Sequence, residues 1–292
     1  MDQAQQLRNI IKQQNQTRST ARVITVTSGK GGVGKSNISV NLGITLSRLG
    51  KRVVILDADF GFANVEVMLG IRPDYNLSDL MFRGKGLQEI ITKGPENIGF
   101  ISGGSGISEL SNVSRTQIEY LTQKLYELDE IADIIIIDTG AGLSESVIEF
   151  VMASSEVLLV VTPEPTSITD AYALLKILNR KLDFSTEQTA IKMIANRIDS
   201  KEEARQLYMK LNMVVEKFLT VKMDYLGGIP QDNNVTKAVM QQKPYSILYP
   251  NSPSTKAVYE LANTLCDNIA IKPNTGRGIA QLFSNLLHMR LK

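Results

Sequence analysis

Nine residues, Ser28-Gly29-Lys30-Gly31-Gly32-Val33-Gly34-Lys35-Ser36, restrict what this chain can fold into more than any other stretch. They follow a β-branched run, Val23 to Thr27, and precede a helical pattern through Ile38, Leu42, Leu46 and Leu49. A strand, a glycine turn and a helix start make a phosphate-binding setting. The glycines let backbone N–H groups point inward at phosphate oxygens, and the helix N-terminus adds partial positive charge. Gly29 to Ser36 fits G-x-x-x-x-G-K-[ST], in which Lys35 reaches the β- and γ-phosphates and the Ser36 hydroxyl ligates Mg²⁺. Gly29, Gly31 and Gly34 also spell the dinucleotide pattern G-x-G-x-x-G, with Asp57 where a ribose-binding acid would stand. Lys35-Ser36 favours the first reading, because a dinucleotide site has no use for a lysine and a magnesium ligand there.

The 292 residues suffice for one large α/β domain or two smaller ones. A net charge of +2 advertises no nucleic-acid partner. One cysteine, Cys266, rules out a disulfide framework and an iron–sulfur site held by one chain, and suits a reducing cytosol. One histidine, His288, leaves a Ser-His-Asp triad or a His-rich metal site without materials. No secretory signal is visible, and no apolar run approaches ~20 residues. The expectation is a soluble, cytoplasmic, globular protein.

Apolar runs at Arg22–Thr27, Arg52–Asp57, Ile98–Ser102, Asp133–Asp138, Glu156–Thr162, Ala190–Asn196 and Tyr225–Ile229 read as strands. Helical patterns fall at Ser36–Leu49, Arg115–Asp129, Ser144–Ala153, Ile168–Leu182 and Glu202–Leu219. Ile134 to Ile137 and Val157 to Val161 are apolar at every position, as central strands covered on both sides require. The fold class expected is α/β: a single doubly wound, mostly parallel sheet with helices on both faces, spanning residues 22–270. The segment Asp74–Asn97, richer in Gly and charge, is expected to decorate the sheet edge.

Acidic residues complete the site. Asp138 ends an apolar strand, where a phosphate-loop protein keeps the acid that orients Mg²⁺ and its waters. Gly140 and Gly142 let the loop after it move. Asp57 and Asp59 flank Ala58 at another strand end; alone, Asp-x-Asp there also suits an aspartate-nucleophile phosphatase. Asn196 ends a strand too, and is either a turn residue or a ligand group at the sheet's carboxyl edge.

Lys30 is a second lysine that an ordinary phosphate loop does not need. With it, Lys30 to Ser36 meets K-G-G-x-G-K-[ST], and the chain resembles the deviant-P-loop ATPases of the MinD/ParA family. The resemblance covers about residues 22–270. It implies ATP and Mg²⁺ as ligands and an ATP-dependent homodimer in which Lys30 crosses to the partner's nucleotide. Gly29, Lys30, Gly31, Gly32, Val33, Gly34, Lys35, Ser36 and Asn37 would then hold the phosphates. Asp59 would direct the attacking water, with Lys35 and Lys30 stabilising charge, and Ser36, Asp57 and Asp138 would serve Mg²⁺, the two acids through water. Asn64 belongs to the first switch beside the dimer interface. Asp138-Thr139-Gly140-Ala141-Gly142 resembles the second switch, though many members carry proline where this chain has Gly140. Glu164 lies in the family's loop after the next strand, Asn196-Arg197 matches its adenine-contacting pair, and Pro230 and Asp232 match the loop packing on the base.

The ends narrow the family. Residues 2–12 read as a short helix, either a frayed or docked cap or a helix for a partner. Asp2-Gln3-Ala4-Gln5-Gln6-Leu7-Arg8 resembles the N-terminal signature of the flagellar branch, the FlhG (YlxH or FleN) regulators. There the segment, here Asp2, Gln3, Leu7 and Arg8 within residues 1–21, stimulates the FlhF GTPase. Residues 271–292 form a linker and then a stripe, Ile279, Leu282, Phe283, Leu286 and Leu287, with Arg290 among its basic flanks. That stripe suits a helix packed on its own domain or one lying in a membrane surface rich in anionic lipid. The expected protein is an ATPase switch governing flagellar number and placement. It would bind the inner face of the membrane peripherally and reversibly, and contact basal-body and C-ring proteins. A division-site regulator or a scaffold with little turnover are the alternatives.

Overall fold

Strands form where the apolar runs stand because both sets of alternating side chains find cover. In the computed structural model, which describes residues 21–59, 64–104, 120, 123–181, 184, 189–267, 278–279 and 282–283, eight strands make one sheet. They are β1 (Arg22–Thr27), β2 (Val53–Ala58), β3 (Thr92–Lys93), β4 (Gly99–Ser102), β5 (Ile134–Thr139), β6 (Glu156–Val161), β7 (Ala190–Ile198) and β8 (Asp224–Pro230). Their order is β3-β4-β2-β5-β1-β6-β7-β8, and only β3 runs antiparallel to its neighbour. β1 sits between β5 and β6. The chain leaves β1 for β2 on one side, while β6 lies on the other. The carboxyl end of β1 is therefore the point where strand order reverses, and ligands of open α/β sheets bind there.

The pleat divides the core. Ile24 and Val26 join one cluster with Ile38, Leu42 and Leu46 of α1 (Lys35–Arg48) and Val258 and Leu261 of α11 (Pro253–Asp267). Val157, Leu159 and Met193 face the other way. There α7 (Pro165–Arg180) and α8 (Lys201–Phe218) cover β6 and β7 with Leu174, Leu178, Leu207 and Leu211. On the same face, Val23, Ile135 and Leu56 pack under Phe150 of α6 (Glu145–Ala153) and under two helices from the segment expected to be edge decoration. These are α3 (Leu77–Phe82) and α4 (Leu87–Ile90), whose Leu77, Leu80, Leu87 and Ile90 are core residues. The segment does carry the edge strand β3, but its spaced leucines also complete the core. Of the helix expected over 115–129, residues 120 and 123–126 are helical, and 115–119, 121 and 122 lie outside the described residues. Its end is the short α5 (Leu128–Ile131).

The C-terminal stripe is seen in part. Ile279, Leu282 and Phe283 are at most 3% exposed and lie in the core with Leu125, Leu128 and Phe150. The Phe283 ring stands edge-on to Phe150 at 6.1 Å between centroids. In this conformation these three residues take the other arrangement the stripe allows, packed on their own domain. Their apolar surface is already removed from water, leaving nothing for a bilayer to bury. Leu286, Leu287 and Arg290 lie outside the described residues, as do Asp2, Gln3, Leu7 and Arg8. No helix among the described residues is long and apolar enough to cross a membrane.

One buried acid beneath this cluster gives the fold a pH dependence. Burial pushes Asp129 up to about 6, against the opposing pull of the Ala21 N–H that it accepts. A carboxyl raised in the folded state contributes stability fully present below the ordinary carboxylate value and lost as pH rises through about 6. Asp129→Asn keeps an acceptor but cannot ionise. Its stability relative to wild type, read as denaturant midpoint, is expected to improve steadily from pH 4 to pH 7 and then level off, at about the pKa range given.

Candidate nucleotide site

The loop after β1 is shaped by two glycines in particular. Gly34 precedes α1 with φ 99° and offers no side-chain cap, so the first N–H groups of α1 stay available to an anion. Gly29 lies against α7: a β-carbon there would stand 2.2 Å from the backbone carbonyl carbon and oxygen of Asp170. The fold thus brings α7 into direct backbone contact with the phosphate loop. Lys35, the first residue of α1, is 7% exposed. Burial draws its ammonium below the usual lysine range, while Asp138 and Asp59 oppose this. A lysine so placed is a ready counter-charge for phosphate.

The two strand-end acids do different work. Both Asp57 oxygens accept backbone N–H groups, Oδ1 from Asp59 at 3.0 Å and Oδ2 from Val65 at 3.3 Å. Asp57 therefore ties β2 to the start of α2 (Asn64–Leu69) and fixes the turn that carries Asp59. Burial, with Asp138 adding, pushes Asp57 up to about 8. Asp138 is fully buried; Oδ1 accepts the Ser39 hydroxyl at 2.8 Å, and Oδ2 is buried with no partner among the described residues. Burial pushes it up to about 6, against the hydroxyls of Ser36 and Ser39 and the charge of Lys35. An orphaned carboxylate oxygen beside Ser36 fits a divalent cation. Among the described residues no group of three or more His, Cys, Asp or Glu can hold a metal by itself. Mg²⁺ needs no such cage, since one or two protein oxygens and substrate phosphates suffice.

Asp59 faces this cluster. Its Oδ2 accepts the Asn64 amide at 2.9 Å, so the two residues expected in the first switch are already joined. Gly140 lies beside it: a β-carbon there would stand 3.4 Å from Asp59 Oδ1, a contact side chains commonly make. Space therefore does not demand glycine at 140. Gly142 is different, with φ +90°, and its N–H donates to the Ser28 carbonyl at 3.2 Å, tying the loop after β5 to the loop after β1.

Lys30 points away from its own loop. Its Nζ donates to Glu164 Oε2 at 2.6 Å and to Thr166 Oγ1 at 2.7 Å, at the start of α7. The pair is half-exposed, and the lysine holds the Glu164 carboxyl below the usual range. The two positions expected in the dimer interface thus meet within one chain.

A cavity of about 250 Å³ adjoins the loop, lined by Gly34, Asn37, Asn196, Arg197, Pro230 and Asp232 together with Tyr245 and Ser254. Asn196 Nδ2 donates to the Val33 carbonyl at 2.6 Å, and Arg197 Nη2 to the Gly32 carbonyl at 2.7 Å. Asp232 Oδ1 accepts the Asn234 N–H and Oδ2 the Ser254 N–H, joining α9 (Asn233–Met240) to α11 around the cavity wall. The volume and mixed lining suit a flat heterocycle with its edge at Asn196. The sequence reading missed Ser39 and Tyr245. Ser39 stands three residues after Ser36, a helical spacing that places both on one face. Tyr245 arrives on the four-residue α10 (Tyr245–Leu248), and no local pattern marks it.

Comparison with known proteins agrees with this geometry. Residues 24–245 match the family model described as the CobQ/CobB/MinD/ParA nucleotide binding domain. The antiactivator FleN of Pseudomonas aeruginosa is 42% identical over 241 residues, covering 82% of this chain and 85% of that protein. The flagellum site-determining protein YlxH of Helicobacter pylori is 33% identical over 276 residues, covering 92% and 91%. Among solved structures, the MinC:MinD cell division protein complex of Aquifex aeolicus superposes with TM-score 0.67 at 26% identity, over 85% of this chain and 96% of that one.

Proposed function

Because the chain belongs to the CobQ/CobB/MinD/ParA nucleotide-binding family and is an ATPase of its MinD-like branch, we propose that it is a dimerisation switch driven by ATP that serves flagellar number and placement. The observation that carries the switch reading is the position of Lys30. It sits at the surface, joined to Glu164 and Thr166. A half-exposed ion pair is worth about 0–1 kcal/mol, so its release costs little. The triphosphate of a facing protomer carries several negative charges where Glu164 carries one, and draws the lysine across.

Each chain's own residues then do the chemistry. The phosphate loop and the N-terminus of α1 hold the phosphates, and buried Lys35 neutralises charge that grows on them in the transition state. Asp59, steadied by Asn64, orients water toward the γ-phosphorus. Ser36, Asp138 and Asp57 would hold Mg²⁺, which would supply positive charge against the charge developing on the phosphates. Hydrolysis removes the phosphate that Lys30 grips, and the protomers part.

The flagellar assignment rests on the likeness to FleN and YlxH together with the Asp2 to Arg8 signature. On this reading residues 1–21 stimulate the FlhF GTPase, and basal-body proteins are the wider targets. The C-terminal helix attaches to anionic lipid only after Ile279, Leu282 and Phe283 leave the core, so lipid binding is conditional.

Light scattering of the full chain with ADP, and with a non-hydrolysable ATP analogue, tests the switch. Wild type is expected as monomer with ADP and dimer with the analogue, and Lys30→Ala as monomer with both. A Lys30→Ala protein that dimerises like wild type, or a wild type that stays monomeric with the analogue, would overturn the reading.

A further inference from the structure

A serine or threonine inside a helix often spends its hydroxyl on the carbonyl four residues back. Thr45, Thr169 and Thr264 do so here, at 2.7, 3.0 and 3.0 Å. Ser39 does not. It is wholly buried on α1, and its Oγ donates across to Asp138 Oδ1 on β5, 99 positions away, at 2.8 Å. The backbone of Asp138 is held between two strands, paired with Val26 of β1 and Asp57 of β2. The residue after it is fixed too, since Thr139 Oγ1 donates to the Val26 carbonyl at 3.1 Å. The carboxylate keeps one soft torsion, the rotation about its last bond. Ser39 restrains that torsion by taking Oδ1, and Oδ2 stays buried with no partner among the described residues. Ser36 stands one helical turn before Ser39, on the same face of α1.

We propose that Ser39 is a positioning residue for the magnesium site: by holding Oδ1 of Asp138 it reserves Oδ2 as the acceptor behind Ser36, and so sets how much Mg²⁺ the nucleotide site needs. This rests on the reading above, in which Ser36, Asp138 and Asp57 hold that cation. A hydroxyl has a single proton to give, and Ser39 gives it to one oxygen, which makes the two carboxylate oxygens unequal. Without Ser39 the buried carboxylate is short of a donor and turns to find one. An acceptor that no longer keeps its direction serves a cation less well, because outer residues orient the groups that meet a metal. The nucleotide's own fit is a separate matter. Neither Ser39 nor Asp138 lines the cavity with Asn37, Asn196 and Pro230.

Binding of a fluorescent, non-hydrolysable ATP analogue to the full chain, titrated at rising Mg²⁺, tests this without turnover. Ser39→Ala is expected to match wild type in EDTA and again at saturating Mg²⁺. Between these limits it should need about tenfold more Mg²⁺ for half the effect, the lower end of what losing an outer partner of a metal site costs. Ser39→Thr, which keeps the hydroxyl, is expected to restore the wild-type requirement. Asp138→Asn should raise the requirement as well, and adding Ser39→Ala to it should raise it no further, because the two act as one unit. Should Ser39→Ala not fold, Ser39→Cys replaces it: nearly the same size and a weaker donor, it should shift the requirement in the same direction. An equal Mg²⁺ requirement in wild type and Ser39→Ala overturns the proposal. So does a Ser39→Ala that binds the analogue more weakly even in EDTA, which would mark a merely structural role. Fully additive effects of Ser39→Ala and Asp138→Asn overturn it too. A wild type indifferent to Mg²⁺ is a different result: it removes the magnesium reading itself, and the proposal with it.

Discussion

Asp59→Ala is expected to lower ATP turnover by about 100- to 10,000-fold, the range for losing a group that positions and polarises the attacking water. ATP should still bind, since Lys35 and the rest of the phosphate loop are kept and Asp59 is not among the residues lining the cavity with Asn37, Asn196 and Pro230. The variant should therefore collect as an ATP-bound dimer that does not separate. Asn64 donates to Asp59 and so positions it; Asp57 holds the turn below through the Asp59 N–H. Phosphate release and light scattering, measured on the same sample, check both halves. Normal turnover, or a monomer in the presence of ATP, would contradict the role.

Gly29→Ala is expected to weaken ATP binding about 100-fold with a single methyl group. Its β-carbon would fall 2.2 Å from two backbone atoms of Asp170, which no rotamer change relieves. Either α7 or the phosphate loop has to move. Overpacking of this kind costs about 1–3 kcal/mol or more, so a loop that shifts instead of the helix loses about 100-fold in nucleotide affinity. Titration with a fluorescent ATP analogue reads the loss. Gly32→Ala is a useful companion. No atom lies within 4 Å of its would-be β-carbon, so at that position only the strain of φ +75° is felt, and the loss should be smaller. Equal losses would show that backbone conformation, not the contact with α7, sets the loop.

Much of this was legible in the chain itself. The runs at Arg22–Thr27 and Glu156–Thr162 became strands within a residue of the expected bounds, because strands covered on both faces leave an uninterrupted apolar signal. The helix starting after Gly34 was equally plain. Asn76 and Asp79 cap the start of α3 reciprocally, a local signal that the sequence reading passed over in favour of the segment's glycines and charges. The core role of Leu77 and Leu80 had no marker of that kind, since it depends on which face of the sheet lacked cover.

The site divides in the same way. The sequence by itself determined the phosphate loop, the acids at two strand ends and the family, since each is a short contiguous pattern fixed by backbone geometry and charge. Only the tertiary structure decided that Lys30 rests on Glu164, 134 positions away, and that Asp138 rather than Asp57 has an oxygen without a partner among the described residues. It alone decided that Ile279, Leu282 and Phe283 lie in the core. An amphipathic stripe states that an apolar surface will be covered, but the identity of the cover is a property of distant residues. At the C-terminus the sheet face beside Phe150 supplies it.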